Sequence, residues 1–104
     1  MKSQRSKATN ISPKVKHIVW ERDGHKCIFC GSYNAMPNAH VISRAYGGLG
    51  IEQNVVTACL ECHRKMDQSS NRQIYVKIAN QYLDSIYGKR ENLTYKKFYE
   101  WTWK

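Results

Sequence analysis

His40, Asn54, His63 and Asp67 are residue types that together could hydrolyse a phosphodiester. That reaction needs a base for water, a cation on the departing oxygen and positive charge on the phosphate. His40 suits the first task, because a neutral imidazole accepts a proton near pH 7. His63 and Asp67 stand four positions apart, share one helix face and can clip one divalent ion. A mixed nitrogen and oxygen set accepts Mg2+, Mn2+, Ni2+ or Zn2+, so the metal's identity stays open. Asn54 can tie its amide to loop backbone and fix how His40 points. Arg44 is read one strand period beyond Ile42, with Arg64 and Lys65 on the helix that carries His63; all three can meet phosphate oxygens. Each residue also has a bland reading: a hydrogen-bonded strand histidine for His40, and a helix charge paired with Arg64 or Lys65 for Asp67.

His40 and Asn54 sit between two further chemical features, Cys27-x-x-Cys30 and Cys59-x-x-Cys62, and His63 follows the second directly. Each pair can point two thiolates at one ion, and two pairs complete a tetrahedral zinc site. Disulfides or a redox-active pair are the alternatives, but a reducing interior would keep the thiols free and no βαβ pattern surrounds either pair. Such a zinc site is closed: it holds the fold and leaves the chemistry to His40 and its neighbours.

The elements that must position these residues follow from local pattern. Residues 1–11 are polar, basic and without periodicity, and read as a loose arm. Ser12-Pro13 opens a helix whose Val15, Ile18, Val19 and Arg22 recur at helical spacing; Asp23-Gly24 ends it. GSYNAMPN reads as a turn-rich link into a strand at 39–43. A loop with Gly47, Gly48 and Gly50 leads to a second strand at 54–57. A helix from about Leu60 to Ser69 carries Cys62, His63, Met66 and Asp67. Ser70-x-x-Gln73 reads as a capping box for a third helix. Its stripe of Ile74, Ile78, Tyr82 and Ile86, flanked by Ala79 and Leu83, is assigned to the core, and Gly88 stops it. The tail holds Tyr95, Phe98, Tyr99, Trp101 and Trp103, which either cover the small core or meet a partner.

With 104 residues the chain has room for one domain. The expected division is an arm at 1–11 and a single domain at 12–104, with a zinc-bearing core at about 25–70 and a helix and aromatic tail at 71–104. Seventeen Lys and Arg against eight Asp and Glu give a formal charge of +9, which four thiolates around one Zn2+ would lower only to +7. That balance favours a polyanion, most simply nucleic acid; the bland alternative is a soluble protein that happens to be basic. No apolar run approaches the ~20 residues of a membrane span. No signal peptide is read at the N-terminus, so the expected location is the cytoplasm.

The order His40, Asn54, His63, the first two between the Cys-x-x-Cys pairs and His63 directly after the second, resembles the HNH endonuclease family, particularly its small phage and prophage forms. The successive gaps of 14, 9 and 4 positions along His40, Asn54, His63 and Asp67 fit. The resemblance covers residues 27–67 and extends to the helix before Cys27. It implies a small α+β fold: a ββα-metal unit stapled by a four-cysteine zinc site, with flanking N- and C-terminal helices. It also implies His40 as general base, Asn54 as the loop-fixing residue, His63 as metal ligand, and DNA cut to 5′-phosphate and 3′-hydroxyl ends in a bacterium or phage-infected host. Phage packaging proteins enter as partners on resemblance alone. One departure stands out: many members carry Asp, Glu or His just before the base, and here that position is Ala39. The alternative function is therefore a zinc-organised DNA-binding or scaffolding module with a weakened site; RNA as substrate is a third. A monomer with one site should nick, and cutting both strands would need a homodimer.

Overall fold

The structure, a computed structural model, describes residues 3–96. Its elements run α1 (Gln4–Thr9), α2 (Pro13–Arg22), β1 (Ala35–His40), a 3-10 turn (Arg44–Tyr46), β2 (Val55–Cys59), α3 (Leu60–Gln68) and α4 (Arg72–Tyr87). β1 and β2 form a two-stranded antiparallel sheet that leads directly into α3. This is the small α+β, ββα arrangement expected, with flanking helices on both sides.

α2 begins as its sequence predicts, with the Ser12 hydroxyl accepting from the Val15 N–H and Pro13 in the first turn. Val19 is its buried residue. The ββα unit is closed by a core of Cys27, Ala39, Val41, Val56, Ala58, Cys62, Met66, Ala79 and Leu83. Met66 comes from α3 and Ala79 and Leu83 from α4, so this cluster is what fixes the last helix against the site-bearing one. Removing a buried Leu83 side chain would cost about 2–5 kcal/mol, through lost burial and the cavity left behind.

Several expectations are corrected. The segment read as a loose arm contains helix α1, capped by Ser3, and its Thr9 is buried. Composition missed it because its partners lie far away in sequence. β1 spans Ala35–His40 rather than 39–43, and its register breaks between Met36 and Ala39. Pro37 lies in that break, where a residue without an N–H is tolerated. Beyond His40 the ladder ends because the Asn54 side chain supplies the acceptor for the Ile42 N–H. Arg44 consequently sits in a 3-10 turn, not on a strand.

The proposed capping box at Ser70 does not form: Asn71 is the N-cap of α4, with no side-chain cap bond. Ser69 does the joining instead. Its hydroxyl donates to the Lys65 carbonyl and accepts from the Asn71 N–H, linking the end of α3 to the start of α4. On α4, Ile74, Ile78 and Ile86 are 59%, 42% and 43% exposed, so these three are not core. The helix turns Ala79 and Leu83 inward, with Tyr75, Val76, Tyr82 and Tyr87 at the margin. Of the aromatic tail, Tyr95 donates its N–H to the Gly47 carbonyl; Phe98, Tyr99, Trp101 and Trp103 lie outside the described residues.

Candidate active site and metal centre

One cleft of about 540 Å3 gathers His40, Arg44, His63 and Asp67, together with Asn10, Ile11, Lys16, Asn38 and Ser43. β1 delivers His40 at its last position, the 3-10 turn delivers Arg44, and α3 delivers His63 and Asp67 from one face. Lys16 lies on the outward face of α2, where with Lys14 and His17 a basic set can meet phosphate, whereas Asn10 was not singled out as a site residue by the sequence. Their approach depends on how the N-terminal segment packs, for which the local pattern holds no signal.

His63 Nε2 and Asp67 Oδ2 are 3.2 Å apart. Two ligands at adjacent corners of an octahedral ion with bonds of about 2.1 Å would be about 3 Å apart, so this pair fits a small divalent cation. Both side chains retain solvent access, as an open site requires. The position before His40 offers no third ligand: Ala39 is fully buried in the core opposite Val56.

Burial lowers the pKa of His40 below the ordinary histidine value, and the nearby Arg44 and His63 lower it further. The Thr9 carbonyl, 2.7 Å from Nε2, and Asp67 work in the opposite direction without reversing the shift. The shift favours the neutral imidazole, the state in which it can accept a proton.

Asn54 is fully buried and uses its whole amide on the loop. Its Oδ1 accepts from the Ile42 N–H at 2.9 Å, and Nδ2 donates to the Ile42 carbonyl at 3.1 Å and the Leu49 carbonyl at 2.9 Å. Backbone is added by the Asn54 carbonyl, which accepts from the Val41 N–H. The two residues after His40 are thus both held by Asn54, Val41 through its backbone and Ile42 through its amide. The loop can close this tightly because a Cβ on Gly48 would lie 1.7 Å from the Ile42 carbonyl oxygen.

Arg64 and Lys65 are not brought to this cleft. They line a separate depression with Ser32, Asn34 and Glu61, and Lys65 pairs with Glu61 at 3.2 Å. The reason is helical geometry: positions one and two residues past His63 turn away from its face.

The four cysteine sulfurs all lie within 4.8 Å of one another, from the loop before β1 and the β2–α3 junction. Cys59 is the N-cap of α3, its sulfur accepting from the Cys62 N–H at 3.4 Å. Burial opposes charge on Cys27, but N–H donors of Cys59, Cys30 and Phe29 bring its thiol down to about 7. Burial and then the neighbouring thiols push Cys62 up. Four sulfurs this close cannot all ionise unless a cation sits among them, and the cluster could hold a metal ion.

Set against known families, residues 27–77 match the HNH endonuclease family. This segment belongs to that family. The match begins at the first cysteine, takes in the ββα unit and ends within α4, leaving α1 and α2 outside the HNH segment. No curated protein matches the chain. Among the described residues no helix is long and apolar enough to cross a membrane.

Proposed function

We propose that the chain is a metal-dependent DNA endonuclease that hydrolyses phosphodiester bonds to 5′-phosphate and 3′-hydroxyl ends. The observation that carries this reading is the single cleft into which β1 sends His40 and α3 sends the His63–Asp67 pair. In it, His40 takes a proton from water as the water oxygen bonds to phosphorus and the P–O3′ bond breaks. His63 and Asp67 would hold a divalent ion, which would supply positive charge at the departing oxygen. Arg44 and Lys16 face the same phosphate. Asn54 fixes the loop that follows His40. The four cysteines hold structural Zn2+. Arg64 and Lys65 would meet phosphates away from the reacting one.

The test is cleavage of supercoiled plasmid with added Mg2+, Mn2+ or Ni2+. A single site predicts nicked circles before linear product. Cleavage by His40→Ala at the parent's rate would remove His40 as base.

A second reading is favoured by Ala39: a zinc-organised DNA-binding module whose nuclease site is weak. It predicts salt-dependent DNA binding without cleavage in any metal. Calorimetry on zinc-saturated protein separates the two, since only the nuclease should take up a second divalent ion.

A further inference from the structure

The N-terminal segment lies outside the HNH-matched residues, yet it holds two groups of the cleft. The carbonyl of Thr9, at the end of α1, is 2.7 Å from His40 Nε2. Thr9 is 3% exposed, and its hydroxyl donates back to the Arg5 and Ser6 carbonyls, closing the helix end. Asn10 follows, its Oδ1 accepting from Arg44 Nη2 at 2.7 Å. Arg5 ties the segment down from the other side, donating to the Arg44 and Ala45 carbonyls at 3.1 and 2.8 Å. The Gly50 N–H donates to the Ala8 carbonyl, and a Cβ on Gly50 would stand 2.1 Å from the Asn10 carbonyl oxygen. These contacts together seat residues 5–10 on the loop between β1 and β2.

A backbone carbonyl only accepts hydrogen bonds, so the imidazole nitrogen facing it must carry the proton. A neutral imidazole has one N–H. With that N–H committed to Thr9, the basic lone pair resides on Nδ1. We propose that Thr9 is the positioning residue for His40, its carbonyl selecting the Nε2–H tautomer, and that residues 5–10 complete the active site. The kinetic consequence rests on the nuclease reading above; the tautomer does not.

Two measurements test this on the zinc-loaded full chain. The first is long-range 1H–15N correlation of the imidazoles at pH 8, with the His40 signal assigned by its loss in His40→Gln. The expected pattern is Nε2–H; an Nδ1–H pattern overturns the proposal. The second uses Gly50→Ala, which wedges the segment away from the loop, and Arg5→Ala, which releases its tether from an exposed position should the first variant fold poorly. Both should lower kcat on plasmid by ~10²-fold, the scale of an ångström's misplacement, with KM changed less than about twofold, while His40 shifts to a tautomer mixture. A parent-like kcat and an unshifted tautomer in both variants overturn the proposal. If the parent chain cuts nothing, the nuclease reading fails, and the tautomer in the two variants still decides whether the carbonyl sets it.

Discussion

The Thr57 N–H donates to Asp23 Oδ2 at 2.8 Å, joining the end of α2 to the middle of β2 across 34 positions. The same carboxylate accepts from Arg22 Nε at 2.7 Å, Arg22 Nη2 at 3.1 Å and the Tyr82 hydroxyl at 2.7 Å. Arg22 goes on to the Glu52 and Val55 carbonyls. Burial opposes its charge, but Asp23 and Tyr87 keep the guanidinium well above its ordinary pKa. Burial, then the Asp23 carboxylate, pushes the Tyr82 hydroxyl up to about 12. One buried ion pair thus clasps α2, β2 and α4.

Removing one partner leaves the other charge buried and uncompensated. Asp23→Ala is expected to destabilise the domain by ~3–5 kcal/mol, measured by urea denaturation of the zinc-loaded protein. A change under about 1 kcal/mol would mean that the clasp contributes little.

Thr57 offers a contrast on the same strand. Its side-chain hydroxyl is buried and has no hydrogen-bond partner among the described residues. Thr57→Val keeps the backbone N–H to Asp23 and removes the stranded hydroxyl. The expected gain is about 1 kcal/mol, read as a shifted urea midpoint with an unchanged slope.

Asn54→Asp tests the loop tie. A carboxylate cannot donate, so the Ile42 and Leu49 carbonyls would each lose a partner and face a like-signed oxygen. We expect a loss of ~2–4 kcal/mol in stability and slower plasmid cleavage with metal binding retained. Parent-like cleavage would separate Asn54 from the orientation of His40.

His40 predicts a pH profile. Because its folded pKa lies below the ordinary value, protons are lost earlier on raising the pH than for a free histidine. Cleavage should fall only as the pH drops through that depressed value, on the acid side of an ordinary histidine's inflection. His40→Ala should lower the rate by ~10²–10⁴-fold and remove that inflection. An inflection above pH 7 would contradict the assignment.

Metal removal separates the two proposed ion sites. Brief EDTA treatment should stop cleavage with the helical circular dichroism intact, and added Mn2+ should restore it. Stripping zinc with a thiol-modifying reagent should release one ion per chain and unfold the domain. If the folded signal survives zinc loss, the hydrophobic cluster around Met66 and Leu83 suffices alone.

By itself the sequence determined the candidate set of side chains and its local frame. The spacing of the two cysteine pairs, the Ser12-Pro13 helix start and the i, i+4 relation of His63 and Asp67 are local facts, and local geometry is legible from spacing. Tertiary structure decided everything that depended on distant partners. The isoleucines of α4 obey a helical period as well as Ala79 and Leu83 do, but only packing against Met66 chose which stripe went inward. Arg64 and Lys65 are near His63 in sequence and turned away from it in space, whereas Lys16 and Asn10 are far in sequence and line its cleft. Asp23, read as a helix stop, became the buried hub because Arg22, Thr57 and Tyr82 converge on it from three elements. The Thr9 carbonyl could not have been read at all, since a backbone oxygen carries no side-chain signature and acquires a role only where the fold sets it.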